Sequence, residues 1–165
     1  MQGTGMKPSA ACLLPAMTRP AVRPFAPPAD ARSGGDEMID HLSFGVADLD
    51  RSGRFYDSAL GALGYRRHGA DADALWYGAD QPVLWLLKTA RPVVADDESG
   101  LHLSFSAKSP EAVQAFYRAA LANGGRDNGK PGIRTEYSPN YYAAFVYDPD
   151  GYRVEANCHV PVTGQ

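Results

Sequence analysis

The chain has 165 residues, 44% of them hydrophobic and 21% charged, with a formal net charge of −3. This is ordinary globular composition with apolar material for one core; the acid excess, with no cluster of Lys and Arg among aromatics, excludes a phosphate-backbone binder. No apolar run approaches the roughly 20 residues of a membrane-spanning helix. Two cysteines, Cys12 and Cys158, make no disulfide framework, so a reduced, cytoplasmic setting is expected.

Residues 1–37 carry six prolines, no acid before Asp30, and neither a helical nor a strand period. They read as a disordered leader or an over-called start, with Met38 opening a folded part over 38–165. "IDHLSFGV" (39–46) then alternates as a strand, Leu42, Phe44 and Val46 opposite His41, Ser43 and Gly45. Asp48 is a good N-cap for a helix whose stripe holds Leu49, Ser52, Phe55, Tyr56, Ala59, Leu60 and Leu63, with Gly64 as its stop. Three strands follow, "RRHGA", "ADALWYG" and "PVLWLLK", the last two joined by the turn "GADQP" at 78–82.

After a linker at 89–100 the order repeats. "LHLSFSA" (101–107) is a strand, and Ser109-Pro110 is a cap and first-turn pair for a helix with Val113, Phe116, Tyr117, Ala120 and Leu121 on one stripe. A short strand after "NGG", then "YYAAFVY" and "YRVEANCHV" around the turn "DPDG" at 148–151, complete the set. Shifting the chain by 61 residues superimposes "HLSF" at 41–44 on "HLSF" at 102–105, Phe55-Tyr56 on Phe116-Tyr117, Ala59-Leu60 on Ala120-Leu121 and Gly64 on Gly125. Self-similarity at a fixed offset marks a duplicated unit. The predicted fold is α+β: two βαβββ modules, 38–88 and 101–160, forming a cupped mixed sheet around a central cavity with the helices outside.

Each helix covers the Leu/Phe face of its sheet, which leaves His41 and His102 on the uncovered face. In the last strand Arg153, Glu155, Asn157 and His159 form one row, opposite Tyr152, Val154, Ala156 and Cys158. One histidine on a strand is ordinary. Two at equivalent positions of a duplication, with Glu155 on the same face, form a candidate divalent-metal set with open positions, suited to Fe(II), Mn or Zn. "NGKPGIRTEYSPNYY" (128–142) is predicted to be an irregular loop capping the cavity, bringing Arg134, Tyr137, Tyr141 and Tyr142. Tyr137 and Tyr142 are candidate acid–base groups; Tyr141, Arg134 and Arg153 are candidate substrate contacts, and Leu84 and Leu86 are expected to line the first module's share of the cavity. His68 and His159 have no comparable support.

"HLSFGVADLDRSGRFYDSALGALGY" and "DPDGYRVEANCH" resemble the opening and closing motifs of the vicinal oxygen chelate superfamily: glyoxalase I, extradiol dioxygenases, fosfomycin-resistance thiol transferases and bleomycin-resistance proteins. The resemblance covers 38–160. It implies one divalent ion (Fe, Mn, Ni or Zn) on His41, His102 and Glu155, a small oxygen-bearing organic substrate that chelates it, and a homodimer in which modules pair within or between chains. Leu86 aligns opposite Glu155, where glyoxalase I carries a fourth ligand, so glyoxalase I chemistry proper is disfavoured. A dioxygenase or a lyase/isomerase is expected, with a metal-free drug-binding protein as the alternative.

Overall fold

The computed structural model describes residues 39–94, 98 and 100–160; the expectation for 1–37 lies outside the described residues. Its elements run β1 Leu42–Val46, α1 Leu49–Gly61, β2 Arg66–Ala70, β3 Ala74–Gly78, β4 Pro82–Lys88, β5 Leu103–Ser106, α2 Pro110–Ala122, β6 Arg126–Ile133, β7 Tyr141–Tyr147 and β8 Arg153–His159. They form two four-stranded mixed sheets of one topology, β1-β4-β3-β2 and β5-β8-β7-β6. In each, the opening strand runs parallel to the last and the other neighbours are antiparallel. The fold is therefore the duplicated βαβββ unit of an α+β protein.

The helices start where their caps dictate. Asp48 accepts a hydrogen bond from Arg51 N at 3.0 Å, which holds its carboxyl below the usual range, and Ser109 accepts from Ala112 N at 3.4 Å with Pro110 in the first turn. Gly64, at φ +90°, takes the left-handed turn that follows α1.

Both helices and the inner faces of both sheets share one core, in which Phe55, Tyr56, Val113 and Phe116 are fully buried. Polar contacts tie the β7–β8 turn of the second module to α1 of the first. Tyr56 Oη donates to Asp148 Oδ2 at 2.8 Å, and Asp150 accepts from Arg51 Nη2 at 2.7 Å, Ser52 Oγ at 3.1 Å and Ala47 N at 3.1 Å.

One predicted loop is partly strand. β6 runs through Ile133 despite Gly129, Pro131 and Gly132, because it is an edge strand and the ladder skips from Gly129–Phe145 to Gly132–Ala143. Lys130 and Pro131 fall in that irregularity, where a missing N–H breaks no rung. The irregular segment is reduced to 134–140.

Candidate metal centre and cleft

Alternation along β8 sorts its residues. Val154, Ala156 and Cys158 join the core; Arg153, Glu155, Asn157 and His159 occupy the other face. Glu155 is a buried carboxylate, 2% exposed, with both oxygens engaged. Tyr141 Oη donates to Oε1 at 2.6 Å, and His102 Nε2, immediately before β5, lies 3.2 Å from Oε2. Burial and the adjacent Glu155 carboxylate push the Tyr141 phenol up to about 12, so Tyr141 remains a donor at neutral pH.

A cleft of about 350 Å³ opens beside this group. Phe145, the ladder partner of Glu155, lies on its floor with Gly129, and Arg134, Arg153, Asn128, Glu136 and Tyr137 complete its lining with His102. The Arg134 guanidinium sits 5.3 Å from the Phe145 ring centroid. Tyr137, 63% exposed, packs edge-on to Tyr141 at 5.3 Å.

Of the residues singled out in the sequence, His102, Glu155, Tyr141, Tyr137, Arg134 and Arg153 gather around this face of the second module. His41 does not join them within the chain; its Nδ1 contacts Asp40 Oδ1 at 2.6 Å. Among the described residues no three His, Cys, Asp or Glu side chains converge at metal-holding distance. Tyr142 is on the opposite face from the one expected for an acid–base group in the cavity. It neighbours Tyr141 in a strand, so it points the other way, packs on the core and accepts from Gln114 Nε2 of α2 at 3.1 Å.

Leu86 also requires correction. It is 0% exposed in the core, as Leu84 is at 2%. The register explains this. Ser43 pairs with Trp85 in the first sheet as Ser104 pairs with Glu155 in the second, and Trp76 pairs with Trp85 as Phe145 pairs with Glu155. The residue equivalent to Glu155 is therefore Trp85. Its indole stacks on Trp76, centroids 4.9 Å apart at 22°. Gly69 makes room for this pair, since a Cβ there would lie 2.4 Å from Trp76 Cζ2. An indole, like a leucine, supplies neither a metal ligand nor a carboxylate base.

The sequence reading missed Phe145, Asn128, Glu136 and the Trp76–Trp85 pair. Phe145 was within reach, because it stands directly across the ladder from a residue already singled out.

A duplicated βαβββ fold with a histidine and a buried carboxylate on the exposed face of one module defines a class. The chain belongs to the glyoxalase/bleomycin resistance protein/dioxygenase superfamily, whose family model matches residues 38–156. It is similar to the solved structure of a glyoxalase/bleomycin resistance protein from Albidiferax ferrireducens T118, with 33% identity, 73% of this chain and 98% of that chain covered, and a TM-score of 0.66. A glyoxalase/bleomycin resistance protein/dioxygenase family enzyme from Burkholderia phytofirmans PsJN shares the fold at 13% identity and a TM-score of 0.57, covering 73% of this chain and 98% of its own. The uncharacterized protein YqjT of Bacillus subtilis (strain 168) is 27% identical over 122 residues, which are 71% of this chain and 95% of YqjT. No helix among the described residues is long and apolar enough to cross a membrane.

Proposed function

We propose that this chain is a divalent-metal-dependent enzyme acting on a small oxygen-bearing organic molecule. In this reading His102 and Glu155 supply two ligands and His41 of a second copy supplies the third. The observation that carries it is the buried Glu155 carboxylate held by Tyr141 with one oxygen toward His102. The donors fit such an ion: two neighbouring ligands on a metal at bond lengths near 2.1 Å stand about 3 Å apart, and His102 Nε2 and Glu155 Oε2 are 3.2 Å apart.

A two-His-one-carboxylate set with open positions favours Fe(II) and dioxygenation, with lyase or isomerase chemistry the choice if the ion is Mn, Ni or Zn. The bound ion would supply Lewis-acid polarisation of a substrate oxygen, or, as Fe(II), redox chemistry with O₂. The protein's part is positional. Tyr141 fixes the carboxylate and keeps its own proton, the exposed Tyr137 of the cleft would exchange one with substrate, and Arg134 and Arg153 would orient the substrate. Trp85 disfavours the glyoxalase I reaction, which needs a further carboxylate or amide at that position.

The aromatic side chains Phe145 and Tyr137 in the cleft lining favour a second reading, a metal-free protein binding an aromatic drug. Elemental analysis of untagged protein separates the two. The expected result is about one ion per chain, lost in His102→Ala with the far-UV circular dichroism unchanged. Protein that takes up no metal on anaerobic reconstitution would leave the binding protein as the better reading.

A further inference from the structure

Arginines among the described residues are held in different ways. Arg51 and Arg67 are each tied to a carboxylate, Asp150 and Asp57. Arg134 and Arg153, which share the cleft beside His102, are held differently. Arg134 Nη2 donates to Lys130 O at 2.6 Å, a carbonyl inside the irregular stretch of β6, and its guanidinium lies over Phe145. Arg153 Nε donates to Leu101 O at 3.1 Å. Among the described residues neither has a carboxylate partner, and Arg134 Nε is closed off from solvent with no hydrogen-bond acceptor.

A guanidinium partly withdrawn from water without a counter-charge is costly, and two fixed by backbone carbonyls in one cleft are preorganised for an anion. The backbone is shaped to this end. Gly129 is at φ +147°, and a Cβ there would stand 3.0 Å from Phe145 Cδ2 and 3.4 Å from Arg134 Nη2. Only glycine combines that conformation with a guanidinium lying over the ring.

The charges limit the ligand. Glu136, exposed, also lines the cleft, whereas both oxygens of Glu155 are already engaged. The two guanidiniums outnumber the exposed Glu136 in the cleft lining and suit an anion. The planar fork of Arg suits a carboxylate, and Phe145 and Tyr137 offer apolar faces to a flat body.

We infer that the cleft binds a small organic anion, a carboxylate on a planar apolar body, through Arg134 and Arg153. This rests on the proposed function in that it names the substrate class for the same site.

The test is titration of the full chain with benzoate and with benzamide, its uncharged counterpart, by isothermal calorimetry, with metal content measured on the same samples. Benzoate is expected to bind saturably and at least about tenfold more tightly than benzamide. Arg134→Gln and Arg153→Gln should each weaken benzoate about tenfold or more and leave benzamide unchanged. Equal affinity for the two probes, no saturable benzoate binding, or wild-type affinity in both variants would overturn the inference. Metal bound with benzoate unbound would overturn it and leave the metal-dependent reading standing. Benzoate held through both arginines by protein that takes up no metal would uphold it and overturn that reading.

Discussion

Asp148→Ala is expected to lower the stability of the folded chain by about 3 kcal/mol at pH 7, a large share of the 5–15 kcal/mol that holds a domain together. Asp148 is 2% exposed and serves three donors: Tyr56 Oη at 2.8 Å, and the amides of Asp150 at 2.9 Å and Tyr152 at 2.8 Å. Removing the carboxylate strands a fully buried phenol of one module and unpins the turn of the other that grips α1. Chemical denaturation at fixed temperature reads the loss.

The same residue gives a pH dependence. Burial pushes the Asp148 carboxyl up to about 6, well above the usual range of an aspartate. The folded state therefore binds this proton more tightly than the unfolded chain. The stability it contributes is fully present below pH 4 and is lost as pH rises through 6, by roughly 2–3 kcal/mol. Asp48, Glu111 and Asp127 are shifted the other way, so each adds stability as pH rises, opposite in sign to Asp148. Asp148→Asn should abolish the fall between about pH 4.5 and 6.5; an unchanged slope in that variant would assign the titration to another group.

Glu155→Gln is expected to weaken metal binding at least about 100-fold while leaving the fold intact, because the amide keeps the shape but loses the charge of an anionic ligand. Tyr141→Phe should cost about tenfold, since it removes only the donor that orients the carboxylate. The ratio of the two is informative. Equal losses would mean that Tyr141 itself reaches the ion, and no loss in Glu155→Gln would remove that residue from the site. Competition with a colorimetric chelator measures both.

Much of this was legible in the chain. The 61-residue repeat located both modules, Asp48 and Ser109 fixed where the helices begin, and period two along β8 separated Glu155 from the core. Three features were not, each for a physical reason. β6 carries glycines and a proline that read as loop, and only its edge position lets a strand accommodate them. Tyr141 and Tyr142 belong both to the loop 128–142 and to the strand "YYAAFVY" as read from sequence, and it is the strand, which sends adjacent tyrosines to opposite faces, that decides. The Leu86 error is a register slip. Eight residues separate Trp76 from Trp85, but nine separate Phe145 from Glu155. An ungapped alignment carried across the turn is off by one in the last strand, and one residue in a strand exchanges the two faces. The side chain equivalent to Glu155 thus changes from a core leucine to an indole on the opposite face of the sheet.

In the proposed metal centre, His102 and Glu155 of one copy meet His41 of another. Metal content after mixing His41→Ala with His102→Ala tests this most directly. Each variant alone should be empty. Refolded together, half of the dimers are mixed and each of these carries one intact site, so the mixture should recover about one quarter of the wild-type metal. A mixture as empty as its parents, or full metal in His41→Ala alone, would contradict it.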